Sequence, residues 1–336
     1  MEKSYKVSIC VPIYNAELYL DRCVRSLLEQ TYENLEFLFV DDCSSDNSVD
    51  LLHRVIEEYP SRKDAVKIVR HEINKGVSVT RNTLLTNLSG DFFTFVDADD
   101  YIPHNAVDLL VSKQMETNAD LVSGDIFIES KDDNVYLEEP SYESAYEMLK
   151  YIVSQQGHHE NFGRLYRTDT IRKNKLLYSP GINIGEDWLF LVNYVLHISN
   201  ITSIHQVVYY YDKRNMQSAM NNLMRPESLQ KWYLADLIVL NEIKNVVSKS
   251  VQMDFSSHEK TVLKIGDEGL RKAASNSDKK TFRSIKDNIL PYLKRRTNTV
   301  VGKYKRYSIC GIPNYYLCKL YVSAIRIKYR KYLNGN

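Results

Sequence analysis

The sequence predicts an α/β fold with a mostly parallel sheet flanked by helices, followed by a helical C-terminal region. Two observations support this prediction. Segments of strand and helix character alternate through the first hundred residues, and from Pro226 onward apolar residues recur at helical spacing. Such an alternation implies right-handed crossovers, and it brings ligands to the carboxyl ends of the strands.

The first seven elements follow from the apolar pattern in chain order. Val7–Ile13 is a nearly continuous apolar run, which is typical of a strand buried on both faces. In Leu20–Leu28 the apolar residues form one stripe, as in a helix that packs on a sheet. The same criteria predict strands at 35–40, 66–69 and 92–96, and helices at 49–58 and 78–88.

The length of 336 residues and the change of pattern along the chain predict three parts. Residues 1–220 form the α/β domain, in which the charged stretch 129–141 is interpreted as turns. Residues 221–293 form a helical region. Residues 294–336 form a basic, tyrosine-rich tail, because from Asn288 to the end the chain has eleven Lys or Arg and no Asp or Glu.

The basic tail has two interpretations that its composition does not separate. Lys and Arg interleaved with Tyr suit an anionic membrane surface, and they equally suit a helix that packs back onto the acidic body. Nucleic acid is not predicted as a partner, because the net charge is only +1 and no nucleic-acid-binding module occurs. The five widely spaced cysteines favour a cytoplasmic protein, peripheral at the inner face of the plasma membrane if the tail binds lipid.

Several well-known kinds of site are excluded by their missing motifs. The first strand continues into Pro12-Ile13-Tyr14-Asn15 instead of a GxGxxG turn, so no dinucleotide site is predicted. The phosphate-binding pattern GxxxxGK[ST] does not occur. His158-His159-Glu160 lacks the spacing of a zinc site and is interpreted as an exposed loop.

Polar residues follow three of the predicted parallel strands at the point where each strand ends. They are Tyr14-Asn15 after the first strand, Asp41–Asp46 after the second and Asp97–Asp100 after the fourth. Because the carboxyl ends of parallel strands meet at one edge of a sheet, we expect a single crevice. Carboxylates gathered there repel one another unless a divalent cation is bound. Asp97 and Asp99 therefore predict Mn²⁺ or Mg²⁺, held jointly with a diphosphate.

Some of these acids also have a structural interpretation. Asp46 and Ser48 suit the cap of the second helix, and Asp100 suits the cap of a turn. Glu186 and Asp187 precede an apolar helix, where the helix dipole alone favours carboxylates. A carboxylate brought there from a distant segment would equally serve as the general base that deprotonates a hydroxyl group.

Eight motifs follow one another in a characteristic order: Val7–Asn15, Ser26–Tyr32, Val40–Asp46, Asn74–Gly76 with Arg81-Asn82, Phe95–Asp100, Asn161–Arg167, Gly185–Trp188 and Tyr209–Tyr211. The ordered set resembles glycosyltransferase family 2, and the last three motifs resemble its bacterial cell-surface polysaccharide branch. The resemblance covers about residues 5–220 and implies a GT-A fold.

The resemblance implies an inverting, metal-dependent glycosyltransferase of hexosyl or N-acetylhexosaminyl type. It would move a sugar from a nucleotide-diphosphate donor, a UDP-sugar, to a hydroxyl group of a glycan or lipid-linked sugar in cell-surface polysaccharide synthesis. Asp187 would be the catalytic base with Glu186 beside it, and Asp99 would bind the metal with Asp97. The nucleotide-sugar site would consist of Pro12, Tyr14, Asn15, Asp42, Gly76, Arg81, Asp97, Ala98 and Arg214.

Within that site, Tyr14 would stack on uracil and Asp42 would accept a hydrogen bond from its N3. The chain departs from the family pattern at Cys43, where glycine is more common, and at Arg164, where lysine is more common. Asp212 replaces the usual basic residue after the tyrosines, so that Lys213 or Arg214 would reach the diphosphate.

Two other functions remain open from the sequence. A non-catalytic sugar-nucleotide-binding protein would keep Tyr14 and Asp42 but would not need Asp99 or Asp187. A nucleotidyltransferase of similar fold would be expected to carry a basic, glycine-rich loop for a triphosphate, and the turn after the first strand is not one.

Overall fold

The chain divides into two compact units, Met1–Asn215 and Met216–Asn336. The predicted division after residues 220 and 293 stays a prediction, and the basic tail beyond Lys294 lies outside the described residues. The structure is a computed structural model that describes residues 4–154, 159–182, 184–215 and 229–294.

The first half of the first unit contains the elements that the apolar pattern predicts, and every predicted end lies within two residues of the observed one. The elements are β1 (Val7–Ile13), α1 (Leu20–Leu28), β2 (Leu35–Asp41), α2 (Ser48–Glu57), β3 (Val66–Arg70), α3 (Val77–Thr86) and β4 (Phe92–Phe95), with a short 3₁₀ helix at Lys63–Ala65.

Burial explains why these segments form these elements. β2 is buried at every position and β1 at all but one, as expected for central strands covered on both faces. Helix α1 buries one stripe and leaves Asp21 and Arg25 paired at its surface. A leucine that is fully buried in this way stabilises the fold by about 1.5–3 kcal/mol. The stripe consists of Leu20, Cys23, Val24, Leu27 and Leu28.

The second half of this unit is less regular. The prediction that 129–141 forms turns is wrong at 135–137, where a short strand pairs with its neighbour in antiparallel orientation. This strand is largely exposed and therefore has no apolar pattern to reveal it. The elements are α4 (Ala106–Thr117), β5 (Leu121–Glu129), β6 (Val135–Leu137), α5 (Ala145–Val153), β7 (Arg164–Arg167), α6 (Thr168–Asn174), α7 (Glu186–Val195) and β8 (Ile201–Asp212).

Within the described residues the eight strands form one mixed sheet in the order β3-β2-β1-β4-β7-β5-β6, with β8 paired to β5. The first four strands are parallel, as predicted. Strand β7 is antiparallel to both β4 and β5, whereas β8 is parallel to β5. The carboxyl ends of β1, β2 and β4 therefore lie side by side, and the end of β8 approaches the loop after β4 through the bridge between Tyr101 and Tyr210.

The described part of the second unit is helical, as predicted, and consists of α8 (Leu229–Ser250), α9 (Ser256–Ser275) and α10 (Lys279–Lys294). The helices pack closely where glycine removes a side chain. A Cβ at Gly269 would lie 2.9 Å from the Cβ of Tyr233, and one at Gly266 would lie 2.5 Å from Ile289 Cγ2. In the ranges that the structure describes, we find no helix that is both long and apolar enough to span a bilayer.

Candidate active site

The loops that follow β1 and β2 are hydrogen-bonded to each other at the carboxyl edge of the sheet. The Asn15 N–H donates to Ser44 Oγ at 3.0 Å, and the Ser45 N–H donates to Asn15 Oδ1 at 2.9 Å. Asn15 has a φ of 49°, and Tyr14 beside it is 54% exposed. Pro12 is half-buried within β1. Asn15 thus holds the loop together, while Tyr14 offers an accessible ring.

Cys43 has a φ of 63°, in the left-handed region that glycine adopts without steric cost. A Cβ costs about 1–2 kcal/mol there, which explains why glycine is more common at this position of the family that the sequence resembles.

We expect Cys43→Gly to raise the free energy of unfolding by about 1 kcal/mol, measured by urea denaturation. Cys43→Ala keeps the Cβ and should bring no gain. Equal stability of the two variants would contradict this account.

Asp42, directly after β2, is buried and accepts three hydrogen bonds. Its Oδ1 lies 2.7 Å from His71 Nδ1 and 2.9 Å from the Lys75 backbone nitrogen, and its Oδ2 accepts the Gly76 N–H at 2.8 Å. Burial by itself would raise the pKa of Asp42, but the hydrogen bonds from His71, Lys75 and Gly76 outweigh burial and hold that pKa below its usual value. The structure therefore brings two predicted site residues, Asp42 and Gly76, into direct contact.

Arg81 on α3 is 4% exposed and joins two of the predicted acids. Its Nη1 lies 2.6 Å from Glu186 Oε1, and its Nη2 lies 3.1 Å from Asp97 Oδ1. The guanidinium also lies over the Tyr178 ring at 5.5 Å from the centroid. The family resemblance implies a place for Arg81 near the nucleotide; in the structure Arg81 links the acidic loop after β4, Asp97–Asp100, to the start of α7.

The acidic loop after β4 is fixed to β8 by Asp100. The Tyr209 hydroxyl donates to Asp100 Oδ2 at 2.6 Å, and the Asp212 N–H donates to Asp100 Oδ1 at 2.8 Å. Tyr209 Oη in turn accepts the Asp97 N–H at 3.1 Å. Burial, with the charges of Asp99 and Asp97, raises the pKa of Asp100 well above its usual value. Asp100 thus supports the loop from within, a larger role than the turn cap suggested by the sequence.

Asp97 and Asp99 fit the donor set of a hard divalent cation. Burial and the negative charge of Asp97 raise the pKa of Asp99, because both disfavour its ionised form. A bound cation would stabilise that ionised form. In the part of the chain that the structure describes, no three His, Cys, Asp or Glu side chains form a metal site by themselves. Mg²⁺ is commonly bound by one or two carboxylates together with substrate phosphates. Asp99 Oδ2 accepts a hydrogen bond from Asn215 Nδ2 at 2.9 Å, and the Ala98 methyl group is buried in the core.

Glu186 and Asp187 form the first turn of α7, after Gly185 with a φ of 68°. Their environments differ, because Glu186 is paired with Arg81 whereas Asp187 Oδ1 accepts the Trp188 N–H at 2.8 Å. Burial, then the charge of Glu186, raise the pKa of Asp187 well above its usual value, and Arg81 opposes them. A carboxylate whose pKa is raised in this way is a stronger base, which suits the predicted role.

Besides His71, two further residues of the candidate site were missed from the sequence. His159 and Glu160 were interpreted as an exposed loop, but both are half-buried. The His159 ring stacks on Trp188 at a centroid distance of 4.6 Å, and the charge of Glu160 also raises the pKa of Asp187. The only hint in the sequence was the run of three ionisable residues next to Asn161; the neighbouring His158 lies outside the described residues.

Arg214 belongs to a network of charges at the end of β8. Its Nε lies 2.7 Å from Asp212 Oδ1, and its Nη2 lies 2.6 Å from Glu129 Oε2. Burial opposes ionisation of Asp212, but hydrogen bonds from Arg214 and then Arg22 lower the pKa of Asp212 to about 2. Lys213 instead lies over the Tyr211 ring. The structure thus places Arg214 beside the acidic loop, already paired with two carboxylates.

Several known proteins resemble this chain, among them EpsJ and TarS. EpsJ of Bacillus subtilis strain 168, described as an uncharacterized glycosyltransferase, is 28% identical over 70% of each chain. TarS of Staphylococcus aureus strain MW2, a poly(ribitol-phosphate) β-N-acetylglucosaminyltransferase, is 26% identical over 74% of this chain and 42% of its own length. The S. aureus TarS 1-349 structure in complex with UDP-GlcNAc has a TM-score of 0.61 at 24% identity, covering 86% of this chain and 79% of that one.

The mannosyltransferase PcManGT of Pyrobaculum calidifontis, solved with GDP-Man and Mn²⁺, has a TM-score of 0.53 at 13% identity and covers all of this chain and 89% of that one. The likeness to the TarS structure confirms the predicted GT-A fold. The sequence profile of the family named Glycosyl transferase family 2 matches residues 8–195, more than half of the chain and all of the predicted site residues except Arg214. The chain belongs to glycosyltransferase family 2.

Proposed function

We propose that this protein is an inverting glycosyltransferase that uses a UDP-sugar donor in bacterial cell-surface polysaccharide synthesis. The sugar would be a hexose or N-acetylhexosamine, and the acceptor would be a hydroxyl group of a glycan or a lipid-linked sugar. The observation that supports this best is the pair of contacts made by Arg81. Arg81 joins Asp97, which we assign to donor binding, to Glu186, the neighbour of the proposed catalytic base Asp187. Groups for binding a donor and for activating an acceptor thereby meet at one edge of the sheet.

The nucleotide would bind across the ends of β1 and β2. Tyr14 is exposed enough for a base to stack on its ring, and Asp42 is an ionised acceptor suited to the N3–H of uracil. Pro12, Asn15 and Gly76 would shape the wall around the base. Arg214 lies beside the acidic loop and would approach the diphosphate if its pairing with Asp212 and Glu129 loosened.

Asp99 and Asp97 would hold Mn²⁺ or Mg²⁺ together with the donor diphosphate. When bound, the cation would neutralise the negative charge that develops on the departing phosphate. Asp187 takes the proton from the acceptor hydroxyl group, whose oxygen attacks the anomeric carbon from the face opposite the leaving group. Glu186 and Arg81 hold the helix that carries Asp187 against the donor side.

Location follows from indirect observations. Cys10, Cys23 and Cys43 are free thiols, and two of them are buried, which supports a cytoplasmic protein. We propose peripheral attachment to the inner face of the plasma membrane through the basic tail, which lies outside the described residues.

The test is UDP release from a panel of UDP-sugars with Mn²⁺ and with excess EDTA. We expect release from one donor that is faster when an acceptor glycan is added, and loss of release on metal removal that returned Mn²⁺ restores. Release of pyrophosphate from a sugar phosphate and UTP would instead identify a nucleotidyltransferase. Binding of UDP with no turnover of any donor in the presence of acceptor glycans would indicate a binding protein.

A further inference from the structure

We propose that His71 is a positioning residue for nucleotide selection: it holds the Asp42 carboxylate with one acceptor position open, which selects a base that presents an N–H group. This inference rests on the proposed function, in which Asp42 contacts the base. His71 directly follows β3, and its backbone N–H donates to Asp41 O at 2.9 Å. Its side chain is buried, between the end of β2 and helix α3.

The open position follows from the number of donors around Asp42. An ionised carboxylate has about four acceptor positions, two on each oxygen. His71 Nδ1 and the Lys75 N–H take both positions on Oδ1, and the Gly76 N–H takes one on Oδ2. The fourth position, on Oδ2, is the one that we assign to the ligand.

The proton between the two side chains belongs to His71. Because Asp42 is ionised and can only accept, Nδ1 of His71 must be the donor in the 2.7 Å contact. The other ring nitrogen, Nε2, lies 3.0 Å from Thr83 Oγ1 on α3. A contact on each side of the ring fixes its orientation, so Thr83 contributes to the position of Asp42 through His71.

This arrangement distinguishes uracil from cytosine. Uracil presents an N3–H group to the open position, whereas N3 of cytosine is an acceptor and would face the carboxylate with two lone pairs opposed. Without His71, Asp42 would keep only the Lys75 and Gly76 N–H donors, so its carboxyl group would be held less firmly and would take up a proton more readily. A protonated or turned carboxyl group would accept either base, and selectivity would fall.

The experiment measures the dissociation constants of UDP and CDP by calorimetry for the full chain and for two variants. His71→Leu keeps much of the volume but removes both ring contacts, and His71→Asn keeps a donor near the position of Nδ1. We expect His71→Leu to weaken UDP binding about tenfold, the value of one hydrogen bond to a charged group, and to lower the UDP over CDP preference by a similar factor. His71→Asn should restore most of both.

His53 is an exposed histidine on α2, and His53→Leu is the matched control. Unchanged UDP affinity and UDP over CDP preference in a folded His71→Leu protein would overturn the inference while leaving the proposed function intact. If the natural protein itself does not bind UDP, the proposed function is what fails. Should His71→Leu not fold, Thr83→Val gives the same test. We expect Thr83→Val to weaken UDP binding about threefold. No change in its UDP over CDP preference would count against the inference.

Discussion

Replacing Asp187 by asparagine is expected to lower the rate of sugar transfer by about 10²- to 10⁴-fold, the usual contribution of a general base. Asparagine has the same shape but cannot take a proton, so the affinity for UDP should change little. The measurement is the steady-state rate of UDP release with acceptor, together with the dissociation constant of UDP. A rate within a factor of five of the natural protein would remove Asp187 from the proposed mechanism.

The matched control for this variant is Asp169→Asn. Asp169, like Asp187, lies in the first turn of a helix, so both substitutions remove the same favourable interaction with the helix dipole. Asp169 is more than half exposed and lies on α6, outside the candidate site. The control should keep nearly full activity, and a large loss in it would point to helix stability as the cause.

The pH dependence of the reaction offers an independent view of Asp187. Burial first, and the charge of Glu186 second, raise the pKa of Asp187 well above the usual value of an aspartate. The basic form is therefore lost as the pH falls through this raised pKa. We expect the acidic limb of the rate profile to lie above the range of an exposed aspartate, and a limb near pH 4 would argue against a base with a raised pKa.

Removing the Arg81 side chain is expected to lower the free energy of unfolding by about 3 kcal/mol and to abolish transfer. Arg81→Ala leaves Glu186 and Asp97 without their shared cation, and loss of one partner from a buried ion pair typically costs about 3–5 kcal/mol. Because the side chain of Asp97 is 27% exposed, the lower end of that range is expected. Urea denaturation measures the stability, and the UDP-release assay measures the activity.

Arg25→Ala is the matched control, because Arg25 also contacts two carboxylates, those of Asp21 and Glu58, but at the surface. Exposed pairs of this kind contribute up to about 1 kcal/mol, so the two arginine variants should differ clearly in stability. Arg81→Lys keeps the charge but lacks the forked guanidinium group that reaches both acids. We therefore expect it to lose less stability than Arg81→Ala but more than Arg25→Ala. Equal losses in Arg81→Ala and Arg25→Ala would show that burial adds nothing at Arg81.

The first half of the fold could be predicted because its buried segments are apolar runs or apolar stripes in the local sequence. Val7–Ile13 is a continuous apolar run in the sequence and a buried strand in the structure. The second half could not be predicted in the same way. Strand β8 has an exposed stretch at His205 and Gln206, and it is held by pairing with β5, a contact between residues far apart in the chain.

The candidate site likewise contains residues that the local sequence indicates and residues that act through contacts between distant segments. Residue types and their order indicated Asp42, Asp99 and Asp187, which lie at the ends of strands or at the start of a helix. The partners that set their properties could not be predicted, because His71 and Glu160 act through spatial contacts that no sequence spacing encodes. Arg81 was identified by its motif, but its pairing with Glu186 joins residues 105 positions apart.

The support of Asp100 by β8 has a consequence for how the protein is made. Asp100 depends on the Asp212 N–H, 112 residues later in the chain. At about 5–20 residues per second of synthesis, roughly 6 to 22 s separate the emergence of the acidic loop from that of its support. During that interval β1 to β4 can already pair, while the carboxyl group of Asp100 still faces water. The nascent chain can therefore form the parallel half of its sheet first, and the acidic loop gains its support only when β8 arrives.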